Sequence, residues 1–172
     1  MAAASGKKIL MVIASEGFRD PEYYEPKKVL EAKGIKVLTT SITKTSIGAE
    51  GGIVNTDILL KDANANNYDA VVFIGGPGSY VLHDNPKAHQ LAKDAVSSGK
   101  ILGAICAAVA ITAKAGVLQG VKATSFSGVA DIVKAGGAIY TGEGVTVDGK
   151  FVTADGAKSA KAFGEALAKL LS

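Results

Sequence analysis

Residues 100–116 read KILGAICAAVAITAKAG, in which an apolar run passes directly into a helical pattern. Lys100 to Ile105 is short and rich in branched residues, as a strand buried on both faces of a sheet is. Cys106 to Ala115 follows without a linker and is predicted to be helical, with Gly116 as its C-terminal cap. The stretch therefore predicts a strand joined to a helix, with Cys106 at the turn between them.

Two more runs have the same character as this strand. Lys7 to Ala14 reads KKILMVIA, and Ala70 to Ile74 reads AVVFI. Ile35 to Ile42 predicts a further strand. The glycines and asparagines between Thr43 and Asn67 indicate turns around one or two short strands.

Helices are predicted between these strands. Asp20-Pro21 is typical of an N-cap followed by proline at the first helical position, and this helix should end at Gly34. Asn85-Pro86 opens a second helix, whose apolar residues recur at helical spacing. A short helix from Val129 to Ala135 and a last helix carrying Phe163 complete the pattern.

A β-hairpin is predicted near the end of the chain. Val145 to Thr153 reads VTVDGKFVT, which places an Asp-Gly turn between two alternating runs. Val121 to Phe126 also has a strand pattern. Strands that alternate with helices predict an α/β fold: a mostly parallel sheet with helices on both faces, to which the hairpin adds a small antiparallel part. We expect one domain over residues 1–172, with residues 1–6 as a flexible lead-in.

The composition excludes several classes of protein. The chain of 172 residues is 48% apolar and 20% charged, so it is globular rather than disordered. The 19 basic and 16 acidic residues give a net charge of +3, and their scattered positions predict no nucleic-acid partner. We find no signal peptide and no apolar run of membrane-spanning length, and expect a cytoplasmic protein. One cysteine and two histidines rule out an internal disulfide and an ordinary zinc site.

Cys106 is the first candidate for chemistry. A side chain at a sharp strand-to-helix turn is presented at the edge of the sheet, and a helix N-terminus lowers the pKa of a thiol. The amide of Ala107 is then placed to stabilise an oxyanion. The alternative is that Cys106 is a small buried hydrophobe without reactivity.

Gly75 and Gly76 follow another buried strand and should reach the same edge of the sheet. Without side chains, their backbone can approach a ligand closely, and the amide of Gly76 is a second candidate oxyanion donor. The sequence GGPGS also has the character of a phosphate loop, although it matches neither the dinucleotide fingerprint nor the Walker pattern. A simple tight turn is the third interpretation.

Two titratable residues lie near these turns in the predicted fold. Glu22 is in the first turn of the first helix, where acidic residues are common for electrostatic reasons alone. His83 follows the glycine turn and is a candidate acid or base, although loop histidines are usually only solvated.

The combination resembles the ThiJ/PfpI superfamily, which includes intracellular proteases and glyoxalases. The resemblance covers nearly the whole chain and is carried by four segments: FRDPEYYEP (Phe18 to Pro26), VVFIGGPGS (Val71 to Ser79), Gly99 to Ser125, and the closing hairpin and helix. It implies a flavodoxin-like three-layer sandwich and a homo-oligomer, either a dimer or a hexamer. It also implies that Cys106 is the reactive cysteine and Glu22 the conserved acid, with Gly75, Gly76 and the Ala107 amide binding an oxyanion.

The chain departs from the protease members of this superfamily. Ala107 stands where those members have a histidine, and the segment Ala123 to Ser127, from which other members supply one, contains none. Tyr80 stands where some members contribute an acid to a neighbouring subunit. A peptidase triad therefore cannot be assembled from matching positions, and peptidase activity ranks third.

Two other functions fit the residues better. The first is an enzyme without metal or cofactor that acts on small reactive aldehydes, with Cys106 adding to the carbonyl and Glu22 moving the proton. The second is a redox or stress protein in which a lone Cys106 is oxidised stepwise. We rank the carbonyl enzyme first.

Overall fold

The structure, a computed structural model, describes residues 5–172. Its strands are β1 (Lys8–Val12), β2 (Glu16–Phe18), β3 (Lys36–Ser41), β4 (Thr45–Gly48), β5 (Ile53–Asn55), β6 (Ile58–Leu59), β7 (Ala70–Phe73), β8 (Ile101–Ile105), β9 (Lys122–Ala123), β10 (Ile139–Tyr140), β11 (Val145–Asp148) and β12 (Phe151–Ala154). Its α-helices are α1 (Asp20–Ala32), α2 (Pro86–Ser97), α3 (Val109–Lys114), α4 (Ala130–Ala135) and α5 (Ala160–Leu171).

Seven strands form the central sheet, in the order β11-β12-β8-β7-β1-β3-β6. Every neighbouring pair is parallel except β11 and β12. Val12 at the end of β1 lies opposite both Thr40 and Phe73, so the carboxyl ends of the central strands are level. The predicted α/β class with a mostly parallel sheet is confirmed.

The helices cover both faces of this sheet. Ile9 and Met11 of β1 belong to the core under α1 and α5, whereas Leu10 and Val12 belong to the core under α2 and α3. This alternation is the period-two geometry of a strand, and it explains why the strand is apolar throughout. The core residue Phe163 of α5 is fully buried, and burial of a side chain of that size contributes about 3 kcal/mol. The three layers hold the strand ends, and hence the turns that follow them, in fixed positions.

The two predicted N-caps have different outcomes. Asn85 caps α2 as predicted, since its Oδ1 accepts the amide of Ala88 at 2.9 Å. The expectation that Asp20 caps α1 is wrong: the helix includes Asp20, and Arg19 is the N-cap residue. The carboxylate of Asp20 instead accepts the amides of Glu50 and Gly52, which tie a distant loop to the start of the helix.

The predicted hairpin is confirmed as β11 and β12, joined through Gly149 at φ +59°. β11 lies at the end of the sheet, and the carboxylate of Asp148 accepts the amide of Lys122 in β9 at 2.9 Å.

Two segments differ from the sequence-based expectation. The strand expected over Val121 to Phe126 is limited to β9, which pairs with β10 outside the central sheet. The segment from Thr43 to Asn67 forms three short strands rather than one or two; β4 and β5 pair beside β2, and β6 joins β3. These strands have two to four residues each, too few for an alternating pattern to stand out.

The expected lead-in at residues 1–6 lies partly outside the described residues, which begin at Ser5. The amide of Ser5 donates to the carbonyl of Gly34 at 3.0 Å, which ties this residue to the end of α1. None of the helices formed by residues 5–172 combines the length and the apolar character that a bilayer crossing demands.

Candidate active site

Three turns meet at the carboxyl edge of the sheet, as predicted for this fold class. β2 leads from β1 into α1, Gly75 follows β7, and Cys106 follows β8. The amide of Arg19 donates to the carbonyl of Gly75 at 2.9 Å, and the amide of Phe126 donates to the carbonyl of Cys106 at 3.3 Å. Backbone hydrogen bonds therefore fix these turns to one another.

Cys106 is held in a strained backbone conformation. Its φ is +61°, and it is the one non-glycine residue with positive φ in residues 5–172. A side chain in this left-handed region costs about 1 kcal/mol, which the surrounding fold must offset. A short 3₁₀ turn from Cys106 to Ala108 follows and leads into α3. The conformation leaves the thiol partly exposed at the mouth of the site.

Gly75 is the contact point between the candidate residues. A methyl group at this position would lie 2.6 Å from Oε1 of Glu22, 2.7 Å from the carbonyl oxygen of Ile105 and 2.8 Å from Cβ of Cys106. Glu22 Oε1 and Cys106 Cβ therefore lie close together. Because they are 2.6 and 2.8 Å from the same point, the distance between them is at most the sum, 5.4 Å. Only glycine leaves room for this arrangement.

Glu22 is a buried acid in the first turn of α1, with only 1% of its surface exposed. Burial raises its pKa from 4.5 to about 7, against the opposing influence of the Cys106 thiol, Arg19 and the Gly75 amide. Oε1 has no well-formed hydrogen bond among the described residues, although hydrogen bonding between the carboxyl and the thiol of Cys106 contributes to the pKa of both groups. Near neutral pH the side chain is therefore a mixture of acid and carboxylate.

The thiol of Cys106 does not follow the sequence-based expectation of a lowered pKa. Burial and the charge of Glu22 raise its pKa from 9.0 to about 12, although the Ala107 amide and Arg19 act in the opposite direction. Glu22 and Cys106 form a coupled pair, which loses one proton near pH 7 and the other near pH 12. Between these values the pair holds one proton, mainly on the sulfur, and protonated Glu22 beside a thiolate is the minor form.

Two of the predicted oxyanion-binding residues, Gly75 and Ala107, act on this pair through their amides. The amide of Ala107 acts on the sulfur, and the amide of Gly75 acts on the Glu22 carboxylate. Gly76 has φ +116°, and a side chain there would collide with the backbone of Arg19 and Gly17. The role of these backbone groups toward a substrate oxygen stays a prediction.

Neither histidine is hydrogen-bonded to the thiol of Cys106, although His83 contacts the backbone of the next residue, Ala107. His83 is 5% exposed and stacks against Tyr80 with ring centroids 4.6 Å apart. Burial lowers the pKa of His83, opposed by a hydrogen bond to the backbone of Ala107. The ring of His89 bonds to the carbonyl of His83 at 2.6 Å. The charged side chains with the largest influence on the pKa of Cys106 are Glu22 and Arg19, and no histidine of residues 5–172 is hydrogen-bonded to its sulfur.

Arg19 is the charged neighbour that the sequence reasoning missed. Its Nη1 donates to Oε1 of Glu50 at 2.5 Å, and the other carboxylate oxygen of Glu50 accepts the amide of Asp20 at 3.1 Å. A signal was available in the sequence: a basic residue directly precedes the helix turn that carries the candidate acid. Its partner, 31 residues further along the chain, had no such signal.

An open cleft of about 590 Å³ adjoins the turn that carries Cys106. Its lining includes Ser125, Phe126, Tyr140 and Lys158, and Phe126 is the residue whose amide bonds to Cys106. Another cleft of about 600 Å³ lies between Ser5 and the end of α5, and neither Cys106 nor Glu22 lines it. Cys106 and Glu22 do not line the first cleft either, and it is connected to Cys106 through the backbone of Phe126.

Comparison with known proteins gives this combination of fold and site a class. The model of the DJ-1/PfpI family matches residues 7–170. This chain belongs to the DJ-1/PfpI family.

Individual relatives agree with this assignment. The chain is 40% identical over 161 residues to an uncharacterised protein of Methanocaldococcus jannaschii, covering 91% of this chain and 78% of that protein. It is 34% identical over 147 residues to the deglycase PfpI of Pyrococcus furiosus, covering 85% and 88%. It is 29% identical over 161 residues to the glutathione-independent glyoxalase DJR-1.2 of Caenorhabditis elegans, covering 93% and 86%. The crystal structure of a ThiJ/PfpI domain protein from Brachyspira murdochii superposes with a TM-score of 0.94 at 37% identity, over 96% of this chain and 98% of that one.

Proposed function

We propose that this protein converts small reactive dicarbonyl compounds, in the manner of a deglycase or a glyoxalase, without a metal or an organic cofactor. The observation that carries the proposal is the close approach of a buried Glu22 carboxyl and the Cys106 thiol around Gly75. The names of the Pyrococcus and Caenorhabditis relatives support the same class of activity.

The first step of the proposed reaction is addition of sulfur to an aldehyde. In the one-proton form of the pair, the thiolate attacks the aldehyde carbon of methylglyoxal and forms a C–S bond. The electron pair of the C=O bond moves to oxygen, which takes the proton of Glu22 and gives a hemithioacetal. The amide of Ala107, beside the sulfur, is placed to stabilise the negative charge while it develops.

The second step moves a proton between adjacent carbons. Glu22, now ionised, removes the hydrogen from the former aldehyde carbon as a proton and returns it to the neighbouring carbonyl carbon, while the hydroxyl proton of the hemithioacetal passes to the oxygen of that carbonyl. The first carbon is oxidised and the second is reduced, so no external electron acceptor is needed. Water then cleaves the resulting thioester, and the net change is methylglyoxal plus water to lactate. A carboxyl with a pKa of about 7 is suited to both giving and taking this proton.

The test is lactate formation from methylglyoxal by the wild type and by two variants. Cys106→Ala should abolish the reaction, and Glu22→Gln should reduce it by at least about a hundredfold, as loss of a general acid–base does. Glu25→Gln is the matched control, since this exposed acid lies on the same helix and should leave the rate unchanged. Equal rates in the wild type and Cys106→Ala would end the proposal.

Oxidation of Cys106 is a second candidate function, favoured by the unpartnered Oε1 of Glu22. A thiolate attacks hydrogen peroxide to give a sulfenate and water, and a second peroxide gives a sulfinate. Protonated Glu22 would donate a hydrogen bond to one sulfinate oxygen. Mass spectrometry after mild peroxide treatment should find two added oxygens on Cys106 in the wild type and further oxidation to sulfonate in Glu22→Gln. The same products in both would contradict this function.

A further inference from the structure

Arg19 places a positive charge beside the candidate active site. It is the N-cap of α1, three residues before Glu22, and its amide is bonded to Gly75 at 2.9 Å. Gly75 in turn packs against Cβ of Cys106. The cation lies close enough to favour the ionised forms of both Glu22 and Cys106.

The guanidinium is accessible from solvent. The side chain of Arg19 is 39% exposed, and its one side-chain hydrogen bond within residues 5–172 uses Nη1. A guanidinium has five N–H donors in a planar fork that fits a carboxylate in two parallel hydrogen bonds. Four of these donors are left for a second anion.

Glu50 competes for this cation but does not remove it from the site. The Glu50 side chain is 42% exposed, and an ion pair between two such side chains is weak in water. The carboxylate also accepts the amide of Asp20, which anchors it on the side of the helix N-terminus. Glu50 therefore orients Arg19 and leaves it able to share its charge with a ligand.

We propose that Arg19 binds a carboxylate of the substrate, so that the site prefers small dicarbonyl compounds carrying a carboxylate over neutral ones. This inference names the substrate class of the proposed function and rests on it. Arg19 would hold the anionic end of the molecule while Cys106 attacks the carbonyl end. A cation beside the sulfur also favours the thiolate, so binding and attack are assisted by the same charge.

Two alkylating agents test the electrostatic part directly. Iodoacetate and iodoacetamide differ in little but charge, and in each the thiolate attacks the CH₂ carbon, a C–S bond forms and iodide leaves. Because Cys106 is the single cysteine, the added mass reports this site alone. The measured quantity is the ratio of the iodoacetate rate to the iodoacetamide rate at low ionic strength and neutral pH.

Arg19→Gln should lower this ratio by about fivefold, and Arg19→Lys should lower it less. Glu50→Gln should raise it, since a competing carboxylate is removed. Lys27→Gln is the control for net charge, because Lys27 pairs with Glu31 on the same helix and should leave the ratio unchanged. Added salt should reduce the difference between the wild type and Arg19→Gln.

A ratio that is unchanged or raised in Arg19→Gln would overturn the inference. Protection by glyoxylate is a second measurement: it should slow alkylation of the wild type by iodoacetamide more than that of Arg19→Gln, and equal protection would also contradict the inference. Neither measurement requires turnover. If the protein turns over methylglyoxal but the ratio of alkylation rates is the same in the wild type and Arg19→Gln, this inference alone is refuted. If the ratio depends on Arg19 but no carbonyl compound is turned over, the proposed function is refuted.

Discussion

The amide of Arg19 donates to the carbonyl of Gly75, and this bond joins the start of α1 to the turn after β7. Glu22 lies one turn into that helix, and Gly75 is in contact with Cys106. The distance between the acid and the thiol is therefore set by backbone, not by the two side chains alone. Such positioning by rigid elements is what precise proton transfer requires.

The pH profile of Cys106 alkylation should reveal its coupling to Glu22. In the wild type, the rate with iodoacetamide should rise near pH 7, where the pair loses its first proton, and again toward pH 12. In Glu22→Gln the step near pH 7 should disappear. A single step should remain above the ordinary thiol pKa of 9.0, because burial persists while the opposing charge is gone. Glu25→Gln should reproduce the wild-type profile, and identical profiles in the wild type and Glu22→Gln would contradict the coupling.

Stability should depend on pH through Glu22. Its folded pKa of about 7 lies above the ordinary 4.5, so the folded state holds the proton more tightly than the unfolded state. The stabilisation is complete below pH 4.5 and is lost as the pH rises through 7; the loss is at most about 3 kcal/mol. Glu22→Gln lacks this loss, so its free energy of unfolding relative to the wild type should increase between pH 5 and 8. Urea unfolding at several pH values measures it, and a constant difference would show that burial does not perturb Glu22.

Gly75→Ala should damage both stability and reactivity. The added methyl group meets the backbone of Ile105 and Cβ of Cys106, neither of which can swing away. We expect a loss of about 2 kcal/mol in urea unfolding and slower alkylation of Cys106. Gly156→Ala is the control, because the same methyl group there meets nothing within 4 Å and the backbone is extended. Equal stability of the two variants would mean that the site is loosely packed.

Replacing Cys106 by glycine should relieve its backbone strain. Cys106→Gly and Cys106→Ala both remove the sulfur, but only alanine keeps a side chain at φ +61°. The glycine variant should be the more stable by about 1 kcal/mol. Ala113→Gly in α3 is the control. It should lower the free energy of unfolding, since glycine destabilises a helix interior by about 1 kcal/mol relative to alanine. If alanine is the more stable at position 106, the turn relaxes without the sulfur.

Much of the fold follows from local sequence. The apolar runs of β1, β7 and β8 predict strands because strands buried on both faces need apolar side chains on both. The cap at Asn85 and the turn at Gly149 depend on one or two residues each, and both are in place. The misassigned cap at Asp20 shows the limit: its carboxylate is used by amides 30 and 32 residues away, which local reasoning cannot weigh.

The pKa values and ion pairs of the site could not be predicted from local sequence. A helix start predicts a lowered pKa for Cys106, but its pKa depends more on burial and on Glu22, which only the assembled sheet brings near. The ion pair of Arg19 with Glu50 could not be predicted, because Glu50 lies in a segment whose sequence has no clear helix or strand pattern. The homo-oligomer and the cytoplasmic location stay predictions.

The position of β11 has a consequence for how copies of the chain behave in concentrated solution. A strand at the margin of a sheet offers unpaired peptide groups to any other strand, which is a common beginning of aggregation. At the opposite margin β6 has only two residues, too few to template a partner. β11 is longer and carries the exposed Val147, but Asp148 holds the amide of Lys122 beside its end. The hydrogen bond of Asp148 therefore covers the end of the longer of the two edge strands, where another strand would begin to pair.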